Sequence, residues 1–586
     1  MIVPMKKVTL IVQEKDREET LERLGELGVL HIEHLQEPQG RELNLIKEEI
    51  NQIEEARRIL SHYPVSEKIS PTPYLENWQG LLKQILELEK RLKDLKEYLN
   101  FFEKEIKEWE SWGDFDPEIV RELFKKGIYV KFYQIPLREL KNLPEEIIVK
   151  KIFLKSGLAN CLIISPKEIK LPFPEISPPG MGLKKMYEKR GELRNVLVHL
   201  EKELAEKSVF LPALEKIKLS LEKEKEFVEA KMGMGEEGSL SYLKGYVPEE
   251  STEKILMVAH EQAWGILVEA PSPEDSVPTL LRNFRAIEIL NPLFRFLGIL
   301  PGYQELDISF WFLIFLSLFF GMLIGDAGYG VIYLLLSFLI KKKWGNKIKE
   351  KSLFTLFYLL SFSAIIWGLL SGTIFGQAWL SRFIKPLLPA LRDNRRLQSF
   401  CFFLGALHLS IAHLWKFILK IPGLSALSEG GWMAILWGVY FLARTLILGE
   451  TFPYLGKSLF LLGVILILFF TKPQKNIIKG IAQGTGAIFL NLVGNFTDVV
   501  SYIRLFAVGL ASVTIADAFN QLALDFGYRG FFSGLFGSLI LFLGHTLNVL
   551  LGPLSVLVHG IRLNLLEFCN HLEVKWIGFA YKPLKK

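Results

Sequence analysis

Cysteine is nearly absent from this chain: Cys161, Cys401 and Cys569 are the three in 586 residues. They lie far apart, with no CxxC pair and no neighbouring pair of histidines, which excludes a disulfide framework or a zinc site and leaves three small buried hydrophobes. Phosphate-cradling motifs are missing too. No GxxxxGK[ST] occurs, and no GxGxxG follows a strand pattern. The glycine-rich GMGEEGS at 233–239 falls between a charged helical pattern and a strand pattern and reads as a linker. The opening MIVPMKKVTLIVQEKD offers an apolar run of only about five residues, too short for the core of a signal peptide. The first half is therefore expected in the cytoplasm. Acidic residues are scarce in the second half: residues 306–586 hold 11 against 25 basic ones, whereas residues 1–305 hold 53 against 45. The net charge of +6 hides this division. Half of the chain is hydrophobic and the mean hydropathy is +0.25. Disorder, a collagen-like fibre and nucleic-acid binding drop out for the chain as a whole, and the apolar half has the composition of a membrane domain.

The charged half reads as an elongated α+β domain. KKVTLIVQ is rich in β-branched residues and predicts a strand, ETLERLGELGVL a helix, and HIEH a second strand. Leu43, Ile46, Ile50, Ile53 and Leu60 then fall on a heptad seam. A longer seam follows at Leu81, Ile85, Leu88, Leu92, Leu95, Leu99, Phe102, Ile106 and Trp109. Spacings alternating between four and three predict coiled-coil helices. GIYVKFYQI, EEIIVKKIF and ANCLIISP predict the strands of a second lobe, and another helical run starts near Lys184 and continues past Pro212. SYLKGYVPEES and WGILVEAPSP return to strand and turn chemistry. Two small α/β lobes joined by long helices suit spanning a distance, and no catalytic constellation is present.

Residues 301–586 form the expected membrane domain, and 1–300 the soluble one. Apolar stretches at 308–325, 327–340, 353–375, 399–419, 431–449, 458–471, 487–524 and 531–571 predict about eight spans. With both termini on one side, the basic segments 341–351 and 471–480 and the tail YKPLKK face the cytoplasm, as the positive-inside rule asks. One loop disagrees: Arg382, Lys385, Arg392, Arg395 and Arg396 fall on the outer side. The last two stretches are the longest. A helix over 487–524 would be about 57 Å long against a hydrocarbon core of about 30 Å, so it must tilt, break or protrude. Both carry charge: Asp498, Arg504 and Asp517 in one, Arg562 and Glu567 in the other. An arginine at a span centre costs about 2.5–3.5 kcal/mol on insertion scales, which favours a functional reason for keeping it. Guanidinium does not give up its proton, so it acts as a fixed positive charge that stabilises an ionised carboxylate brought beside it. Ser501, Ala507, Val508 and Ala511 give the face around Arg504 small-to-medium residues that admit another helix. Asp498 lies nearly opposite on the turn, so the carboxylate that meets Arg504 is expected from another subunit. Arg444 and Lys416, near span ends, are expected to snorkel.

Several of these segments resemble one family. SYIRLFAVGLA (501–511) resembles the arginine-bearing helix of subunit a, or subunit I, of V-type and A-type rotary ATPases, and LSVLVHGIRLNLLEF (554–568) resembles the helix after it. FFGMLIGDAGYG (319–330), SVPTLLRN with NPLFRFLGILPGYQELD, and LKGYVPEE (243–250) resemble its other motifs, in the same order. At this length the chain is similar to the shorter prokaryotic form. The resemblance implies a non-catalytic stator subunit without cofactor or metal, in the plasma membrane, with its N-terminal half cytoplasmic. It implies partners in the carboxylates of a proteolipid ring, the peripheral stalk subunits, the catalytic head and central stalk, and the lipid bilayer. Arg504 would face the ring carboxylate, with Arg562 beside it, between two aqueous half-channels for protons or sodium ions. Asp326, Asn491, Asn495, Asp498, Ser512, Asn548, Ser555, His559 and Glu567 become candidates for lining those half-channels. Ser512 and Gly552 stand where eukaryotic relatives tend to carry histidine and a carboxylate, so half-channel details do not transfer from them; His545 and His559 are possible compensations. A self-contained secondary transporter is the alternative, but no paired internal repeat with broken helices runs through 308–571.

Overall fold

The computed structural model describes the chain except residues 64–76, 145–146, 156, 346–347, 349, 378–385, 474–476, 528–529 and 586, and leaves out the side chains of 141–142, 155, 477–484 and 487. By internal contacts the chain divides into two compact units. One comprises 1–10, 29–32 and 244–583, and the other 11–28, 33–243 and 584–586. This division does not follow the 300/301 boundary.

The β-branched opening forms strand β1 (Met5–Gln13), followed by helix α1 (Arg17–Leu27) and strand β2 (His31–Glu33), as the pattern predicts. Helices α2 (Arg41–Leu60) and α3 (Trp78–Trp109) bury the heptad seams: Leu43, Ile46, Ile53, Leu81, Ile85, Leu88 and Leu92 are inside, while Ile50, Leu95 and Leu99 are half-buried. Removing those side chains from water at about 25 cal/mol per Å² is what holds such helices together. Helix α4 (Pro117–Lys125) precedes an antiparallel sheet of β3 (Tyr129–Pro136), β4 (Ile148–Lys155), β5 (Leu158–Ser165) and β6 (Glu175–Ile176), in the order β4-β5-β3-β6. Phe132 of β3 is clasped edge-on by Trp109 and Trp112, which fixes the end of α3 against this sheet. Helices α5 (Leu183–Lys207) and α6 (Leu211–Met232) are separated by one 3₁₀ turn; α5 packs on α3 and α6 on α2. GMGEEGS is not a linker. Its Gly235–Glu237 is strand β7, hairpinned to β8 (Leu240–Pro248), so the alternate-residue signal was too short to read. Helix α7 (Thr252–Glu261) and strand β9 (Gly265–Glu269) complete a second sheet, ordered β2-β8-β1-β9.

After the short α8 (Asn291–Leu297) come the apolar helices α9 (Ser309–Ile324), α10 (Ala327–Trp344), α11 (Ser352–Ser371), α12 (Asn394–Lys420), α13 (Ala426–Leu448), α14 (Tyr454–Phe470), α15 (Ile477–Ser501), α16 (Ile503–Phe526) and α17 (Phe531–Ser555), then α18 (Cys569–Leu572). Among the described residues five stretches are long and apolar enough to cross a membrane, α11, α12, α13, Ile488–Phe526 and Phe531–Leu572, or six if the bent pair α9–α10 counts as one. The eight expected spans are therefore not eight equal crossings. α9 and α10 meet at a bend of 119°, and α14 has only 17 residues. Close packing relies on small residues. A Cβ on Gly463 would sit 2.8 Å from the Gly431 carbonyl and one on Gly431 3.0 Å from the Gly463 carbonyl, so α13 and α14 cross backbone to backbone. A Cβ on Gly368 of α11 would lie 2.0 Å from the Ala327 nitrogen at the start of α10. In the disputed basic loop, Arg392 donates to the carbonyls of Ser371 and Gly372, closing the end of α11. Arg382 and Lys385 lie outside the described residues.

Candidate functional site

The arginine helix owes its local shape to an irregular turn at Tyr502, between α15 and α16. There the Tyr502 amide bonds only three residues back, to Val499, and the Leu505 amide likewise to Tyr502. The Ser501 carbonyl accepts the Nε–H of Arg504 at 2.9 Å. A terminal nitrogen of Arg504 pairs with Glu567 Oε1, and Nη1 makes no hydrogen bond in the described structure. The guanidinium is thus not bare, contrary to the expectation that its carboxylate comes from another subunit. Its carboxylate comes from the same chain, 63 residues on, because the following long helix changes its winding.

That helix carries two π stretches, Val556–Gly560 and Leu563–Phe568, after Pro553 has removed one backbone donor. Hydrogen bonds to the fifth residue bring Arg562 and Glu567 to the same side of the helix, where Arg562 Nε lies 3.8 Å from Glu567 Oε1. The Glu567 side chain is 5% exposed, Arg504 21% and Arg562 54%. Two guanidinium charges thus share one carboxylate, and Glu567 Oε2 is buried without a hydrogen bond. Ala507 and Ala511, on the Arg504 side of α16, are exposed, whereas Ser501 and Val508 are half-buried.

The other candidates separate into groups. Asp326 is fully buried and caps α10, accepting from the amides of Gly328 (2.7 Å), Tyr329 (3.3 Å), Phe375 (2.8 Å) and Gly376 (2.9 Å). Phe375 and Gly376 both have positive φ, which turns their N–H groups onto the carboxylate. Its oxygens are occupied by backbone amides, and it ties the α9–α10 bend to the end of α11. Ser512 and Asn548 join a network. Ser512 Oγ donates to Asn548 Oδ1 (3.0 Å), and Asn548 Nδ2 donates to the Ser512 carbonyl (2.7 Å) and Tyr329 Oη (3.1 Å). His545 bridges Tyr329 Oη at 2.8 Å and Asn520 Oδ1 at 3.2 Å. Asn491 is exposed, Asn495 is buried with its Nδ2 unpartnered, and Ser555 and His559 are half-buried, the latter with Nδ1 unpartnered.

Asp498 stands apart from Arg504 and faces His571, Nε2 to Oδ2 at 3.2 Å. His571 Nδ1 lies 2.8 Å from His413 Nε2, and His413 Nδ1 lies 2.7 Å from Glu429 Oε2. Glu429 Oε1 also meets Lys420, and Lys416 at 3.7 Å. The sequence reading missed Glu429, His413 and His571; a lone acidic residue in an apolar run, Glu429, was the one available signal. Lys416 does not snorkel freely but binds Glu573 at 2.6 Å, and Arg444 pairs with Glu450 at 2.5 Å. Among the described residues no group of His, Cys, Asp and Glu is arranged to hold a metal ion.

Architecture and site define a membrane protein with many apolar helices, a charged soluble unit, and a guanidinium–carboxylate cluster on its two longest helices. Over 615 residues, covering both chains entirely, it is 31% identical to V-type ATP synthase subunit I of Borreliella burgdorferi. The chain therefore belongs to the V-type ATP synthase subunit I family. It is also 29% identical, over both full lengths, to V-type ATP synthase subunit I 1 of Treponema pallidum. A-type ATP synthase subunit I of Methanocaldococcus jannaschii is 26% identical over 67% of this chain and 61% of its own. Among solved structures, the cytoplasmic N-terminal domain of a subunit I, homolog of subunit a of V-ATPase, covers 45% of this chain and 99% of its own at 17% identity with a TM-score of 0.24. No family model matches the chain.

Proposed function

We propose that this chain is the ion-translocating stator subunit of a V/A-type rotary ATPase. The observation that carries the reading is the charge count at the cluster: Arg504 and Arg562 face a single Glu567, and the half-exposed side bears small residues. One positive charge remains for an acidic group on a neighbour. When a proteolipid carboxylate arrives, it competes with Glu567 for Arg504, is held ionised, and releases its ion. Glu567 takes the guanidinium back when the carboxylate leaves. The internal partner keeps the charge from standing alone in an apolar environment between encounters, which a bare guanidinium would do at a cost of several kcal/mol. The cation carried is a proton or a sodium ion. The soluble unit faces the cytoplasm of the plasma membrane and grips the peripheral stalks against the torque of the head and central stalk, with no part for nucleic acid and none in ATP chemistry itself.

The test is Arg504→Ala in the reconstituted complex. ATP-driven ion transport is expected to fall at least a hundredfold with assembly on native gels unchanged, and Arg504→Lys, which lacks the planar fork, should fare little better. Transport at near the parent rate in Arg504→Ala refutes the reading.

A further inference from the structure

We propose that Glu429, His413, His571 and Asp498 form a proton-conducting hydrogen-bond chain, which makes the proton the ion that this subunit passes. The inference deepens the proposed function and rests on it.

The geometry is a line of contacts at 2.7, 2.8 and 3.2 Å, drawn from α13, α12, α18 and α15. Its middle is dry: the side chains of His413 and His571 are 7% and 6% exposed. Its ends reach outward. Asp498 is 26% exposed, and at the other end Glu429 is held by Lys420, 39% exposed, while Lys416 links on to Glu573, 75% exposed. The other groups facing the line are the Lys416 and Lys420 ammonium groups and the Glu573 carboxylate. His408 is engaged separately, with Nδ1 on Tyr502 Oη at 2.7 Å.

Counting hydrogens shows why this line moves protons. Each of the three contacts needs one hydrogen, and two neutral imidazoles bring only two. Glu429, bound by two ammonium groups, supplies none at rest. A third proton must sit on the imidazole pair or on Asp498, and either placement satisfies every contact. A buried line whose contacts hold with the proton at either place lets a proton pass along it without breaking. Once Asp498 has released its proton and both rings carry their hydrogen on Nε2, a proton entering from water onto Glu429 passes to His413 Nδ1, and His413 releases its Nε2 proton to His571 Nδ1. His571 then releases its own Nε2 proton to Asp498 Oδ2. Glu429 ends ionised and Asp498 protonated; no electrons move, and turning the two rings resets the line. A sodium ion has no place here, since the ring nitrogens face each other at hydrogen-bond distance with no cluster of oxygens between them. Asp498, where the line ends, lies on α15, six residues before Arg504 in the chain.

The experiment uses the complete complex in sodium-free liposomes, with ATP-driven acidification read by a pH-sensitive dye and assembly read on native gels. His413→Gln and His571→Gln, which keep hydrogen-bonding capacity but cannot be doubly protonated, should each lower proton pumping at least tenfold. His571→Gly should be equally impaired and regain several-fold of its rate with added imidazole, a rescue that a merely structural histidine does not show. Pumping within twofold of the parent in both glutamine variants overturns the inference, as does a loss in His571→Gly that imidazole leaves untouched. Arg504→Ala runs alongside: if it is dead while the histidine variants pump, the relay alone fails, and if it pumps, the proposed function fails with it.

Discussion

Asp326 offers the sharpest separation between a structural and an ion-handling role. In Asp326→Asn the amide must choose an orientation. With its oxygen in place of Oδ1 it keeps the contacts to Gly328, Tyr329 and Phe375, but its NH₂ then points at the N–H of Gly376, donor against donor. One buried amide is left unpaired, at about 1–3 kcal/mol, and the three remaining bonds drop from charge-assisted to neutral strength, about 1 kcal/mol each. The favourable interaction of a carboxylate with the N-terminus of α10 is lost as well, about 0.3–1 kcal/mol. Together these give about 4–7 kcal/mol, a large share of the roughly 5–15 kcal/mol that stabilises a typical protein. Asp326→Ala strands all four donors and should not accumulate as folded protein. Thermal unfolding of the full chain in detergent, followed by fluorescence, reads the effect directly. A clear drop in midpoint for Asp326→Asn is expected. If it melts with the parent while transport falls, the carboxylate handles ions and the capping argument is wrong.

Two further outcomes test the frame. Gly368→Leu puts a side chain into the Ala327 backbone, which has nowhere to yield, and should cost about 3 kcal/mol or more; an unchanged melting midpoint would show that α10 and α11 do not meet there. In the soluble part of the same unit, Lys7 beside Asp275, at 2.6 Å, with the Ser272 amide also donating, holds that carboxyl below its ordinary range. A depressed carboxyl stabilises the fold above its unfolded pKa of about 4 and loses that contribution as pH falls further. Asp275→Asn should therefore melt lower than the parent at pH 7, and the gap should close on acidification below about pH 4; a gap that does not vary with pH rules the ion pair out.

What was legible in the chain is what local pattern controls. The strand at KKVTLIVQ, the heptad seams and the apolar runs declare themselves through residue spacing, and nearly all are found where expected. The two long final helices and their arginines are equally plain, because a charge inside an apolar run is costly and stands out from its neighbours. The pairing of Arg504 with Glu567 was not, since it depends on how a neighbouring helix is wound, and spacing patterns assume regular helices. His413 and His571 escaped for another reason. Each is a single imidazole on a separate apolar helix, 158 residues apart, and nothing nearby in sequence distinguishes such a residue from packing material. Asp326 was open between two roles until the positive-φ loop at Phe375–Gly376 came round to meet it.

The widened coils around Arg562 carry a consequence for reading relatives of this chain. Where the backbone bonds to the fifth residue, charges five apart become neighbours, and motif comparison that expects partners at three or four would file Glu567 as unrelated to either arginine. Wound as a regular α-helix, the same residues would place Glu567 about 140° around the axis from Arg562, on a different face. Backbone winding, as much as the choice of side chains, decides which charges keep company here.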